Sequence, residues 1–452
     1  MSKMNIKTFT EILFKKGKEL GFEDMEVYYT SSDSFDVKVY KQEIDSYNVN
    51  SSMGLSFRGI IDGKMSYSFT ERFEEDDINY LLDVAYKNSK EVEIVGEDYI
   101  YEGSNNYHKE FENTYSEVDA ATKIKDAIYL DSKGLSVDSR IEGVQHCMLQ
   151  TAKGTRRIIN TKGLDLSEES GVCMAYLSVV TSDGESKKSG SSFNMVESYG
   201  GLDFDTIAKE AVDEAVMKIG AFTPKTGKYK TILRYDAAAE LLSTFSGVFS
   251  AESVQKGLSL LKDKIETNIA SEKVTLIDNP FLDISSTRTT FDDEGVATKE
   301  KCLIENGQLK TYLHNLKTSK KDGVESTGNG FKSSYKSPVD ISPTNLYFKS
   351  GTRSLNEIIG ELDKGIMITE LQGLHSGANS VSGDFSLAAL GFYIENGVVI
   401  GPVEQITIAG NFYSLLKDIV DIANDFKLSI PTSAGGVGSG SILLKEMNIS
   451  GK

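Results

Sequence analysis

The chain of 452 residues has no tryptophan, three cysteines and six prolines. Cys147, Cys173 and Cys302 are scattered and odd in number, with no CxxC pair. That excludes a disulfide framework and suits a reducing compartment. No run approaches the ~18 apolar residues of a membrane span. The amphipathic opening, MSKMNIKTFTEILFKKGKELGF, is too charged for a signal peptide, so a cytoplasmic protein is expected. Basic charge is scarce: 49 Lys and Arg stand against 67 Asp and Glu, a net charge of −18. Direct nucleic-acid binding through phosphates needs the opposite balance. None of the four histidines lies within four residues of another, so there is no HExxH. There is also no GxSxG elbow. Ser259/Lys262 and Ser414/Lys417 have SxxK spacing, but both lie in amphipathic helical patterns where such pairs arise by chance.

What is present reads as α+β in two domains. Thr8 to Leu20 has helical spacing. Met25 to Thr30, Phe35 to Tyr40, Ile44 to Val49, Met53 to Ile60 and Met65 to Phe69 read as short strands of an antiparallel meander behind that helix. Helical spacing returns at Asp76 to Ser89 and at Ser116 to Ser132, which opens with a capping-box-like Ser-Glu-Val-Asp. Tyr99 to Tyr115, with His108, reads as a long loop. Ile141 to Leu149, Arg156 to Asn160 and Gly171 to Val180 read as strands of a second sheet or of an extension of the first. His146 and Cys147 are neighbours in a strand, so they point to opposite faces and cannot share one ion. Asp203 to Ile219 is a further helix. All six prolines lie from Pro224 onward. The Thr/Pro/Gly linker there sets the expected boundary between residues 1–223, an antiparallel sheet packed with helices, and residues 224–452, mostly β with a few helices.

In the second half, Asp236 should cap a buried helix, Ala237 to Phe249, with Glu240 inside it. Ser253 to Ile265, Leu355 to Leu362 and Phe412 to Ala423 read as helices. Val274 to Ile277, Gly365 to Leu371 and Ile442 to Leu444 read as strands. Two Ile-Glu-Asn-Gly sequences, at 304–307 and 394–397, predict hairpins, because a type I′ turn needs φ > 0 at both central residues. The second hairpin follows Ser382-Gly-Asp-Phe-Ser386, a small polar entry where a backbone can come close to a ligand. Asp292-Asp-Glu294 could bind a hard cation; one tight turn seldom aims three carboxylates at one ion, so a solvated turn is expected. Ser433 to Ser441 has the glycines of a phosphate loop without its Gly-Lys-Ser/Thr end, and reads as a flexible or tight turn.

Six motifs occur in order: Phe291-Asp-Asp-Glu-Gly295, Ile304-Glu-Asn-Gly307, Ser326-Thr-Gly-Asn-Gly330, Ser382-Gly-Asp-Phe-Ser386, Gly391-Phe-Tyr-Ile-Glu-Asn-Gly397 and Thr407-Ile-Ala-Gly-Asn411. Together they resemble the TldD/PmbA family, over Thr231 to Lys452 above all. That family was long labelled a modulator of DNA gyrase and is now viewed as a metallopeptidase system.

The resemblance implies two paralogous subunits that close into a heterodimer and cleave extended or unfolded peptides. The TldD-type subunit holds its metal with a helical HExxxH and a later cysteine. The TldE/PmbA-type subunit lacks those ligands. Alignment on the helix sets Glu240 on the motif's glutamate, and Ala239 and Thr244 then stand where the histidines would be. Neither can replace an imidazole on zinc. The chain therefore resembles the TldE/PmbA type. No catalytic or metal-binding residue carries over, and zinc is expected in a TldD-type partner. A peptide-binding surface is expected from Ser382, Gly383, Asp384, Phe385 and Ser386 together with Thr327, Gly328, Asn329 and Gly330. The rival readings are a homodimer that binds peptides without cleaving them, a regulator of DNA gyrase, and an enzyme with a metal site on Asp292, Asp293 and Glu294.

Overall fold

The computed structural model describes residues 4–93, 98–109, 111–182, 184, 186–431 and 435–452. Its first half is one six-stranded antiparallel sheet. The strands are β1 (Met25–Tyr40), β2 (Glu43–Ile61), β3 (Lys64–Thr70), β4 (Ile141–Asn160), β5 (Asp165–Ser182) and β6 (Lys187–Val196), in the order β3-β2-β1-β4-β5-β6. The short runs seen in the sequence fuse into long strands, and the second group extends the first sheet. The Ser and Asn stretches between the runs do not break pairing, because Ser31 to Ser34 stand opposite Met53 to Asn50 with the ladder intact. Lys41 and Gln42 both have positive φ and turn β1 into β2.

Four helices cover one face. They are α1 (Ile6–Glu19), α2 (Glu75–Glu91), α3 (Ala120–Ser136) and α4 (Phe204–Met217). The cap of α3 is Asp119, whose side chain accepts from the Thr122 N–H at 2.9 Å, so the helix starts later than Ser116. Met25, Val27, Phe35, Val37 and Val39 alternate along β1 and are buried on this helix-covered face. The intervening residues of β1 point the other way, toward the second half of the chain.

That half is strand-rich. Five strands close into a ring: β7 (Gly227–Leu233) and the strands Lys364–Gln372, Asp384–Glu395, Val398–Asn411 and Ile442–Ser450. A separate six-stranded sheet has the order Gln308–Leu309, Lys301–Glu305, Leu276–Asp278, Leu346–Phe348, Val437–Ser439, Lys427–Leu428. Both Asn-Gly hairpins turn through positive φ, at Asn306-Gly307 and Asn396-Gly397. Helix α5 (Tyr235–Phe245) continues as a 3₁₀ turn, Ser246–Phe249, and buries Ala237, Ala238, Ala239, Leu241, Leu242 and Phe245 against the ring.

Two expected helices are not helical throughout. Ser253 to Ile265 holds only the end of Ala251–Gln255, since Gly257 takes φ +72° and stops it. Phe412 to Ala423 is helical to Asp418 and then becomes a strand, Ile419–Ile422, that pairs with Ile442–Ser450. Sheet pairing and two β-branched residues, Ile419 and Val420, outweigh helical spacing there. Ser433 and Ala434 lie outside the described residues. The following Gly435 to Ser441 is not a phosphate cradle: Val437–Ser439 is a strand between two others.

Candidate functional site

The second face of the N-terminal sheet is polar, and the two halves of the chain meet on it. Glu26 stands directly opposite Arg58 across β1 and β2, and Arg156 opposite Glu168 across β4 and β5. The Phe291–Gly295 turn docks onto these pairs. Its carboxylates are not solvated, which corrects the expectation: Asp292 is 0%, Asp293 3% and Glu294 4% exposed. Their partners lie far away in sequence, so nothing local betrayed the burial.

Each carboxylate is consumed by donors. Asp292 accepts the N–H of Glu294 at 3.0 Å and of Val296 at 2.9 Å on one oxygen, and that of Gly330 at 2.9 Å on the other. Asp293 accepts Arg156 Nη1 at 2.8 Å and the Lys332 N–H at 2.7 Å. Glu294 accepts the Leu316 N–H at 2.7 Å and faces Arg58 Nη1 at 3.5 Å. Burial, then the neighbouring Glu294, raises the Asp292 pKa well above the usual carboxylate range. Burial, then the Arg58 charge, pushes Lys332 down to about 8; its ammonium donates to Ser56 Oγ at 3.0 Å. With their oxygens turned onto protein donors, the three carboxylates do not form a cation cage. This cluster is a structural knot joining the two halves.

Thr327 to Gly330 belong to the same knot. Asn329 is fully buried; its amide donates to Asp278 at 2.9 Å and its carbonyl accepts Lys301 at 2.8 Å. Thr327 is buried against the backbone of His314. A Cβ at Gly330 would lie 2.5 Å from Glu294 Oε2, and one at Gly328, where φ is +70°, 2.7 Å from the Ala297 carbonyl. The glycines let this strand lie against the acidic turn.

Ser382 to Ser386 lie elsewhere, beside α5. Gly383 has φ +82°, and its carbonyl accepts the Phe412 N–H at 2.7 Å. Asn411 donates to the Ser382 carbonyl at 2.8 Å and to Asp384 at 2.9 Å. The bond from Asn411 to its carboxylate, then one from Ser382, holds Asp384 below the usual carboxylate range. Phe385 is buried with its ring centroid 6.3 Å from Phe245, and Phe245 stacks on Phe412 at 4.7 Å. Phe385 is thus the core contact that ties this segment to α5. Asp384 and Ser386 are the exposed residues of the segment, Ser382 being half-buried. The sequence-read site is therefore two separate places, one in the knot and one next to the helix.

On α5 itself, Glu240 stands on the exposed side, beside Leu371 of the strand Lys364–Gln372. Partial burial of its carboxyl, then Asp236 and Glu370, pushes its pKa up to about 7. At the helix start, Arg234 is held by Asp236 and by Glu214, 3.0 Å away. The expected cap, Asp236, is one residue inside the first turn instead. Ala239 is buried, and the Thr244 hydroxyl donates to the Glu240 carbonyl at 2.8 Å. A methyl group and a hydroxyl turned onto its own helix do not fit a zinc ion. Nor do three or more His, Cys, Asp or Glu side chains converge on a metal position among the described residues.

Comparison with known proteins gives the family. Residues 226–451 match the PmbA/TldA metallopeptidase C-terminal domain, 113–219 its central domain and 25–89 its domain 1. The chain belongs to the PmbA/TldD metallopeptidase family. It is 27% identical to a metalloprotease PmbA homolog of Haemophilus influenzae over 74% of this chain and 70% of that one. A metalloprotease of Methanocaldococcus jannaschii is 27% identical over 90% and 91%. Among solved structures, TldE from Thermococcus kodakarensis superposes with a TM-score of 0.90 at 26% identity, over 98% of this chain and all of that one. A Thermotoga maritima protein named for modulation of a DNA gyrase gives 0.90 at 32% identity over 99% and 100%.

Proposed function

We propose that this chain is a TldE/PmbA-type subunit of a cytoplasmic metallopeptidase complex acting on extended peptides, without catalysis of its own. The observation that carries the reading is α5: the helix is kept, with its glutamate, while Ala239 and Thr244 occupy the aligned ligand positions. In this reading a TldD-type partner supplies zinc, whose chemistry is to activate a bound water. The contribution of this chain is peptide handling around Asp384 and Ser386, next to α5. Main-chain hydrogen bonds to an extended peptide ignore most side chains and suit unfolded substrates.

The test measures zinc content and peptidase activity of the purified chain, alone and mixed with a TldD-type chain from the same cell. No stoichiometric zinc and no cleavage alone, with cleavage in the mixture, supports the proposal. Bound zinc and cleavage by the chain alone defeat it. Asp384→Asn with Ser386→Ala should weaken peptide affinity of the complex; unchanged affinity removes this surface from the proposal. A second reading, a homodimer that binds peptides without cleaving them, is favoured by one observation: β3 pairs with β2 only from Leu55 to Ile61, so Glu43 to Met53 has no strand on that side among the described residues.

A further inference from the structure

The separate six-stranded sheet bears a pocket of about 300 Å³ that includes no residue of the knot or of Ser382 to Ser386. Three half-buried rings line it, each brought by a different element. Tyr347 comes from the strand Leu346–Phe348, Phe426 stands just before Lys427–Leu428, and Phe281 lies in the turn after Leu276–Asp278. The rings are fixed by the protein itself. Tyr347 and Phe426 meet edge to face, with centroids 5.5 Å apart. Phe426 lies over Gly438, where a Cβ would come within 2.5 Å of its Cζ. The Phe281 N–H donates to Asn279 Oδ1 at 2.8 Å, and Asn279 Nδ2 donates in turn to Glu300 at 2.6 Å. His108 stacks on the Phe281 ring at 4.3 Å.

The lining also carries two opposite charges, Asp283 and Lys349. Both are exposed, and neither forms an ion pair with the other or with any described residue. Elsewhere on the surface Lys87, Lys209 and Lys256 each take a carboxylate one helical turn away. The pocket thus combines an aromatic interior with an unpaired cation and an unpaired anion. Ligand pockets run from about 300 to 1,000 Å³, so this one suits a small molecule rather than a chain of several residues.

We infer that this pocket binds a free aromatic α-amino acid. The ligand ring fills the space among Phe281, Tyr347 and Phe426, where aromatic groups gain from offset and edge-to-face contacts. Its carboxylate pairs with Lys349 and its ammonium with Asp283. A zwitterion satisfies both charges at once. An aromatic residue inside a peptide offers neither charge, and one at a peptide end offers a single charge, so the free amino acid is the better match. The inference rests on this pocket alone, and its failure leaves the zinc-free reading of α5 standing.

The test exploits the lack of tryptophan in the chain. Free L-tryptophan added to the full chain is the sole indole in solution. Its emission should move to shorter wavelength and saturate as the ring leaves water. N-acetyl-tryptophan lacks the ammonium and tryptophan amide lacks the carboxylate. Each should bind about two- to fivefold more weakly, the worth of one exposed ion pair. L-phenylalanine should compete and L-leucine should not. Lys349→Met should weaken L-tryptophan but not its amide, which erases the preference between them. Ile284, also in the lining, is 62% exposed, so Ile284→Asp should weaken L-tryptophan with an unchanged far-UV spectrum. No saturable shift overturns the inference. So does equal affinity for plain indole, a preference for the acid over the amide that survives Lys349→Met, or tighter binding of a peptide with tryptophan at an internal position.

Discussion

Replacing Arg58 by methionine should show what the knot contributes. Arg58 Nε donates to Glu26 at 2.6 Å, and its Nη1 faces Glu294 at 3.5 Å; the three side chains are 4%, 0% and 6% exposed. Methionine fills similar space but leaves two carboxylates dry and without their cation. Breaking a buried pair in this way costs about 3–5 kcal/mol, a large share of the roughly 5–15 kcal/mol that holds a native protein together. The stranded carboxylates escape part of the cost by taking protons, so their folded-state pKa rises above the unfolded value. Stability from such groups is present at low pH and lost as pH rises, so the variant should lose more at pH 8 than at pH 5. Urea unfolding followed by far-UV circular dichroism measures this; with no tryptophan in the chain, fluorescence is a poor probe. Because Arg58 and Glu26 belong to the N-terminal sheet and Glu294 to the second half, the variant should also unfold in two steps. A loss below about 1 kcal/mol, or an equal loss at both pH values, would refute the claim that this pair is buried and coupled.

Other outcomes follow from the same geometry. Gly330→Ala places a Cβ 2.5 Å from Glu294 Oε2, whose carboxylate is fixed by Leu316, so thermal unfolding should report a loss of about 1–3 kcal/mol. Phe385→Ala should cost about 3–5 kcal/mol through the cavity it opens against Phe245, measured by urea unfolding. Glu240 titrates near pH 7 in the folded chain, above its usual value of 4.5. Its contribution is therefore whole below pH 4.5 and lost as pH rises through about 7. Glu240→Gln should be relatively more stable than wild type at pH 8 than at pH 5, in melting curves at the two pH values.

The Asn-Gly turns at 306 and 396 and helices such as Phe204–Met217 were legible in the sequence, because their signals are local. The sequence hid whatever depends on distant partners. Glu26, Ser56, Arg58, Arg156 and Glu168 lie in strands, and alternation alone does not say what covers the second face of a sheet. Arg58 and Glu294 are separated by 236 positions. The same blindness made Thr327 to Gly330 look like a ligand loop, when their small side chains serve to lie against Glu294. Alternation along β1 could have flagged Glu26 and Tyr28 as facing together, but no spacing rule names Phe291 and Asp293 as their neighbours. Phe412 to Ala423 was misread because helical spacing and a short β-branched strand coincide there.

The five-stranded ring sets an order of events in folding. The strand Ile442–Ser450 is the piece that closes it, pairing with Gly227–Leu233 on one side and Thr407–Ala409 on the other. Leu233 and Ile442 meet only after more than two hundred intervening residues have been made, and pairings that distant are slow to form. Until then Ile406, Ile408 and the apolar face of α5 lack part of their cover. The N-terminal sheet depends only on strands already synthesised, so it can stand complete while the ring is still open. Newly made chains should therefore pass through a state with one half folded and the other exposing its core, the stage at which a chaperone or a misplaced strand competes with closure.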